Sequence, residues 1–122
     1  MSKITPTTQF KRQYKVMKKN PRWQPIFNGK VPFDAEERSP WDYIIDCFLK
    51  DKSIPEYFYA HPLNLPKKVI QQLKKRVPGQ NIKFKVLELH FDGHNGDHLL
   101  VYAQILDQVY LVAIGTHSSD LF

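Results

Sequence analysis

Five histidines, His61, His90, His94, His98 and His117, all lie in or beside the second half of the chain. Imidazole titrates near pH 6.5, so it can either accept or give a proton close to neutrality. RNA cleavage without a metal needs this pair of transfers. A base takes the proton of the ribose 2′-hydroxyl, that oxygen attacks the adjacent phosphorus, a cation steadies the phosphorane, and an acid protonates the departing 5′-oxygen. Several histidines beside lysines supply every part, and DNA is spared because it lacks the 2′-hydroxyl. A second chemistry remains open. His90, His94 and His98 recur at four-residue spacing with Asp92 and Asp97 between them, an ordinary ligand set for zinc or iron. Gly93, Asn95 and Gly96 oppose the helix that would align them, although a loop could still fold around an ion. The third reading is a polar loop with no joint task.

Elements must bring these side chains together. Thr8 can cap a first helix with Phe10, Tyr14 and Met17 on one face. From Asn20 to Pro40 the prolines and Asn28-Gly29 predict a connecting loop with turns. Ser39-Pro40 starts a second helix with Trp41, Ile44, Ile45, Phe48 and Leu49 on its apolar face. Trp41 reads as a core anchor and Cys47 as a packed thiol. Residues 54–66 read as extended chain holding Ala60-His61-Pro62-Leu63, followed by a short basic helix over about 66–77 with Pro78-Gly79 as its stop. Branched and aromatic runs predict strands over Ile82–Phe91, Leu99–Leu106 and Val109–Gly115, the last two joined as a hairpin around Asp107-Gln108. Val109–Ile114 is apolar and aromatic throughout, as in a central strand buried on both faces. The expected fold is α+β, with N-terminal helices packed on a small, twisted, mainly antiparallel sheet.

The length of 122 residues fits one domain, and 42% hydrophobic with 25% charged residues is ordinary for a folded chain. No apolar run reaches the roughly 20 residues of a membrane span, and the first ten residues lack the apolar core of a secretion signal. A cytoplasmic location is therefore expected. A single cysteine allows neither an internal disulfide nor a thiolate metal cluster. The net charge is +6, and it is concentrated. Residues 1–30 carry eight basic side chains and no acid, and residues 66–85 carry seven and no acid, Lys83 and Lys85 among them. Such stretches suit a phosphate-facing surface, an acidic partner protein, or merely solvated helix faces.

The C-terminal run Val112-Ala113-Ile114-Gly115-Thr116-His117, ending in Leu121-Phe122, resembles the closing signature of the YafQ branch of RelE/ParE-type bacterial toxins. Ile54-Pro55-Glu56-Tyr57 with His61-Pro62-Leu63 is similar to the segment these toxins carry before their sheet. Glu88-Leu89-His90 and Asp97-His98-Leu99-Leu100-Val101-Tyr102 resemble their strand, loop and next strand. The likeness covers residues 53–122 with gaps. It implies an mRNA interferase that cuts messenger in the ribosomal A site without a cofactor and is held inactive by an acidic cognate antitoxin. Carried onto this chain, it makes His117 the principal acid or base, with His61 and His90 completing the proton-transfer and phosphate-positioning set. Asp97 would orient a histidine or contact the nucleotide, and Phe122 would form a wall beside a base. His94 and His98, with Lys83 and Lys85, complete the expected substrate contacts. Three departures stand out. His98 occupies a position where the family commonly has tryptophan. The loop from His90 to Asp97 is about three residues longer, which makes His94 a rival to His90. Residues 64–80 read as a basic insertion facing ribosomal RNA or the antitoxin. The alternatives are a non-catalytic RNA- or partner-binding module on the same fold and the His/Asp metal-dependent enzyme.

Overall fold

Prolines in the irregular stretch after the first helix start helices instead of breaking them. The computed structural model describes residues 3–65, 67–76, 85–105 and 108–117. Strand β1 (Lys3–Pro6) leads into helix α1 (Thr8–Lys19). Pro21 then opens a 3₁₀ turn (Pro21–Trp23), capped by the Asn20 side chain accepting from the Arg22 N–H, and Pro25 lies in the first turn of helix α2 (Gln24–Asn28). At these positions the missing N–H costs nothing and the fixed φ suits a helix. Short helices therefore replace the first part of the expected loop. Trp23, Ile26 and Phe27 are buried, and about 1.5–3 kcal/mol per buried side chain outweighs the poor intrinsic propensity of the segment. Arg38 staples the chain between α2 and the next helix, reaching Asp34 and Asp46, each at 2.9 Å. This guanidinium pulls the Asp34 carboxyl down to about 2.

Helix α3 (Pro40–Leu49) begins at a Ser39 cap and buries Ile44, Cys47 and Phe48. Cys47 is the expected packed thiol, pushed up by its burial. A 3₁₀ turn (Glu56–Phe58) precedes the two-residue strand β2 (His61–Pro62), and helix α4 (Lys67–Arg76) comes next. Strands β3 (Lys85–His90), β4 (Leu99–Ile105) and β5 (Gln108–Gly115) complete one sheet of order β1-β5-β4-β3-β2, parallel only between β1 and β5. The α+β class and the mainly antiparallel sheet are as the sequence predicts. The N-terminal strand, in contrast, is not among the expected elements: it is short, ends on proline and acquires its ladder only from β5. Leu106 and Asp107 of the expected hairpin, and residues 82–84 of the first expected strand, lie outside the described residues. Among the described residues no helix is long and apolar enough to cross a membrane.

The sheet separates two clusters. Leu89, Leu100, Tyr102, Leu111 and Ile114 pack with Phe10, Trp23 and Phe48 from the helices, while Val101, Ala103, Tyr110 and Val112 pack with Leu65, and Leu63 and Ile70 lie against them. Val109–Ile114 is buried on both faces as expected, with β1 and β4 as its neighbours. A bulge interrupts it: Val101 pairs with Ala113 but Tyr102 with Leu111, leaving Val112 extra. Such an insertion re-aims the residues beyond it. Thr7, not Thr8, is the cap of α1; its hydroxyl accepts from the Phe10 N–H and donates to the Val112 carbonyl, both at 3.2 Å. The first helix is thus fixed to the strand that ends two residues before His117.

Candidate active site

Strand register places the first three polar side chains. His61 of β2 pairs directly with Glu88 of β3, and His90 lies two residues further along the same face of β3. His90 in turn pairs with Leu99, and Leu99 with Gly115, so the row continues across the sheet to the end of β5, where His117 emerges. The ring centroids of His61 and His90 are 5.7 Å apart, and those of His90 and His117 are 5.4 Å apart. Glu88 and His90 are buried, His61 is half-buried and His117 is exposed.

Each of these histidines has its Nδ1 tied to an acceptor. His61 donates to the Tyr59 carbonyl (2.8 Å) and His90 to the Gly96 carbonyl (3.0 Å). His117 Nδ1 meets Asp97 Oδ1 at 2.6 Å, and the same oxygen accepts the His117 backbone N–H at 2.7 Å. The backbone N–H of His117 is the first cause that holds the Asp97 carboxyl below the usual carboxylate range, and the His117 side chain adds to it. A carbonyl can only accept, so His61 and His90 carry hydrogen on Nδ1 and present Nε2 for other work. Glu88 Oε1 lies between them, 3.4 Å from His61 Nε2 and 3.9 Å from His90 Nε2.

The loop after β3 holds this geometry. Asp92 accepts from the backbone N–H groups of Asp97 (3.4 Å) and His98 (3.2 Å), closing the loop on itself. Gly93 has φ +98°, and a Cβ at Gly96 would collide with the Asp92 carboxylate, so both glycines are required where the chain turns.

No protein-family model and no curated protein matches the sequence. Solved structures do. A copper-bound mutant toxin from Helicobacter pylori superposes with a TM-score of 0.58 at 21% identity, over 97% of both chains. The structure of the DinJ-YafQ complex from E. coli contributes a chain with a TM-score of 0.57 at 15% identity, over 97% of this chain and 96% of that one. A metal-bound toxin from H. pylori gives 0.56 at 21% identity, again over 97% of both chains. The chain has the YafQ-like toxin fold.

Within that fold the expected site residues divide. His61, His90, Asp97 and His117 come together, and His94 joins them through Tyr59, whose ring centroid is 4.0 Å from its own. His98 does not join. Its ring stands edge-on to Trp23, with Nδ1 at 2.7 Å from Asp92 and Nε2 at 3.1 Å from the Arg22 carbonyl, so both nitrogens are occupied. The position carries a polar packing task, and the metal set of His90, His94 and His98 is not assembled. Lys85 opens β3 at the end opposite His90 and lines a separate pocket with Cys47, Lys52 and Gln104. Lys83 and Phe122 lie outside the described residues.

Two further residues belong to the site, and the sequence does not single them out. Glu88 stands in a motif there without a role of its own; its signal is a charged residue two positions before a histidine in a strand that must be half-buried. With His61 and His90 it forms a group whose ligand atoms all lie within 4.8 Å of one another, a donor set suited to zinc or copper. Tyr59, exposed and with a left-handed backbone (φ 50°, ψ 49°), sits among the rings of His61, His90 and His94. A bulky residue at positive φ leaves no mark in the sequence.

Proposed function

We propose that this chain is the toxin of a toxin–antitoxin pair and acts as a ribosome-dependent messenger endoribonuclease with histidines as acid and base. The carrying observation is the shared arrangement of His61, His90 and His117, each held through Nδ1. In this reading Glu88, with His61 or His90, takes the proton of the 2′-hydroxyl; the 2′-oxygen attacks phosphorus, and the P–O5′ bond breaks. His117, steadied by Asp97, gives its proton to the 5′-oxygen, leaving a 2′,3′-cyclic phosphate and a free 5′-hydroxyl. Two positioned proton transfers contribute on the order of 10²- to 10⁴-fold each. A messenger held rigidly by the ribosome supplies orientation as well, so free RNA is a poor substrate. Lys11, Arg12 and Lys15 on α1, and α4, give the positive surface for ribosomal RNA and for an acidic antitoxin; the neighbouring YafQ was solved in complex with DinJ. Such a toxin acts in the cytoplasm.

The test is purified protein added to a translation reaction, with messenger cuts mapped by primer extension. Cuts that need ribosomes and disappear in a folded His117→Ala variant are expected; an intact messenger, or an equally active variant, overturns the reading.

A metal-dependent reading is favoured by the His61–Glu88–His90 donor set and by the copper carried by one H. pylori neighbour. An ion there would take the very Nε2 atoms that proton transfer requires. The proposal therefore expects activity to survive chelation and to fall when stoichiometric zinc or copper is added. Activity lost on chelation and restored by metal would instead support the second reading.

A further inference from the structure

We infer that Tyr59 and His94 form a nucleobase-binding corner next to the histidine cluster, so that single-stranded RNA is held by one stacked base as well as by its phosphate. The inference rests on the ribonuclease reading and names a base-binding contact within that site. Tyr59 is 42% exposed, so its ring can be reached from solvent. It is held there by a left-handed backbone, φ 50° and ψ 49°, at the end of the 3₁₀ turn. Side chains other than glycine, asparagine and aspartate rarely adopt this conformation, and a bulky ring there is an outlier. Glycine would fit the turn better, so turn formation does not explain the tyrosine.

The surroundings of the ring do. His94 stands perpendicular to it, with centroids 4.0 Å apart and an interplanar angle of 82°. His61 is tilted by 39° at 4.7 Å, and His90 is perpendicular at 5.4 Å. The Tyr59 carbonyl also fixes His61 Nδ1 at 2.8 Å, so the ring is tied to the proton-transferring group through its own backbone. His94 is exposed, and its ring nitrogens make no hydrogen bond among the described residues. Two rings at a right angle offer a face and an edge. A base stacks on the face of Tyr59, and the His94 nitrogens meet its hydrogen-bonding edge. Stacking alone tolerates any base, because every base has a π-face; the edge contact makes the corner selective.

The experiment is fluorescence quenching of 2-aminopurine in a short single-stranded RNA, titrated with the full-length protein. It is run for wild type, Tyr59→Gly, Tyr59→Phe and His94→Ala. Quenching by wild type and Tyr59→Phe is expected, with a roughly 5- to 150-fold weaker dissociation constant for Tyr59→Gly, the range of one lost base–aromatic stack. Because glycine relieves the backbone, Tyr59→Gly should melt within roughly 4 °C of wild type, which separates ring loss from unfolding. His94→Ala should keep quenching but flatten differences among oligonucleotides that vary the neighbouring base. Equal affinity for Tyr59→Gly and wild type, or no quenching by wild type, overturns the inference. Messenger cleavage is scored separately in the translation assay. Cleavage with no Tyr59 dependence sinks the corner alone, and quenching without cleavage sinks the ribonuclease reading alone.

Discussion

Asp97→Asn keeps the shape of the side chain and removes its charge. In the structure one oxygen, Oδ1, accepts both the backbone N–H of His117 (2.7 Å) and its Nδ1 (2.6 Å). The amide can still accept one of these, but its NH₂ end invites the opposite tautomer of His117. Hydrogen bonds to a charged group contribute about 1.5–3 kcal/mol against about 0.5–1.5 for neutral ones, so the lost charge forfeits roughly 1–2 kcal/mol, about 5- to 30-fold. With the misplaced tautomer added, kcat should fall about 10- to 100-fold while KM stays within about twofold. The pair is half-exposed, so the melting temperature should move by no more than roughly 4 °C. The sign of the pH effect is fixed as well. Asp97 is held below the usual carboxylate range, so its contribution is complete above about pH 4 and is lost only as pH falls through the lower folded value. Titration of Asp97 itself should therefore contribute no change to wild-type kcat between pH 5.5 and 8 in single-turnover cleavage on programmed ribosomes. A folded variant with unchanged kcat, or one that raises KM alone, refutes the assignment of Asp97 as the residue that positions His117.

Gly96→Ala drives a methyl group into the Asp92 carboxylate that closes the active-site loop; we expect a loss of about 1–3 kcal/mol, read as a drop in melting temperature, together with reduced cleavage because the Gly96 carbonyl also orients His90. Acid should spare the staple of Arg38 and Asp34. The Asp34 carboxyl is lowered to about 2, so its stabilising contribution persists above the ordinary carboxylate pKa of about 3.9 and disappears only as pH approaches 2. Arg38→Met should therefore destabilise the protein at pH 5 but not at pH 2, as followed by denaturant titration.

The elements with strong periods are legible in the sequence. The face of α3, the basic α4 and the doubly buried β5 are patterns that solvent exclusion imposes residue by residue, and they lie where the spacing predicts. The elements that the sequence hides depend on partners distant along the chain. Strand β1 has no period of its own and exists through four pairings to β5. The prolines between α1 and α3 carry opposite meanings at a helix start and in a helix interior, and only the burial of Trp23, Ile26 and Phe27 decides between them. The site divides along the same line. Histidine identity and order, and a task for Asp97 in orienting a histidine or contacting the nucleotide, can be read from residue types and motif; that the histidine is His117 comes only from the structure. His98 departs from its expected place because its two acceptors, Asp92 and the Arg22 carbonyl, lie 6 and 76 residues away. Glu88 carries no sequence mark of its role, which arises from the register that sets it opposite His61. The sequence supplies the imidazoles; the carbonyls of Tyr59 and Gly96, visible only once the chain has turned, take Nδ1 of each buried or half-buried ring and leave Nε2 for other contacts. Substitutions that move those backbone atoms should therefore impair cleavage as severely as loss of a histidine, although neither Tyr59 nor Gly96 needs to exchange a proton.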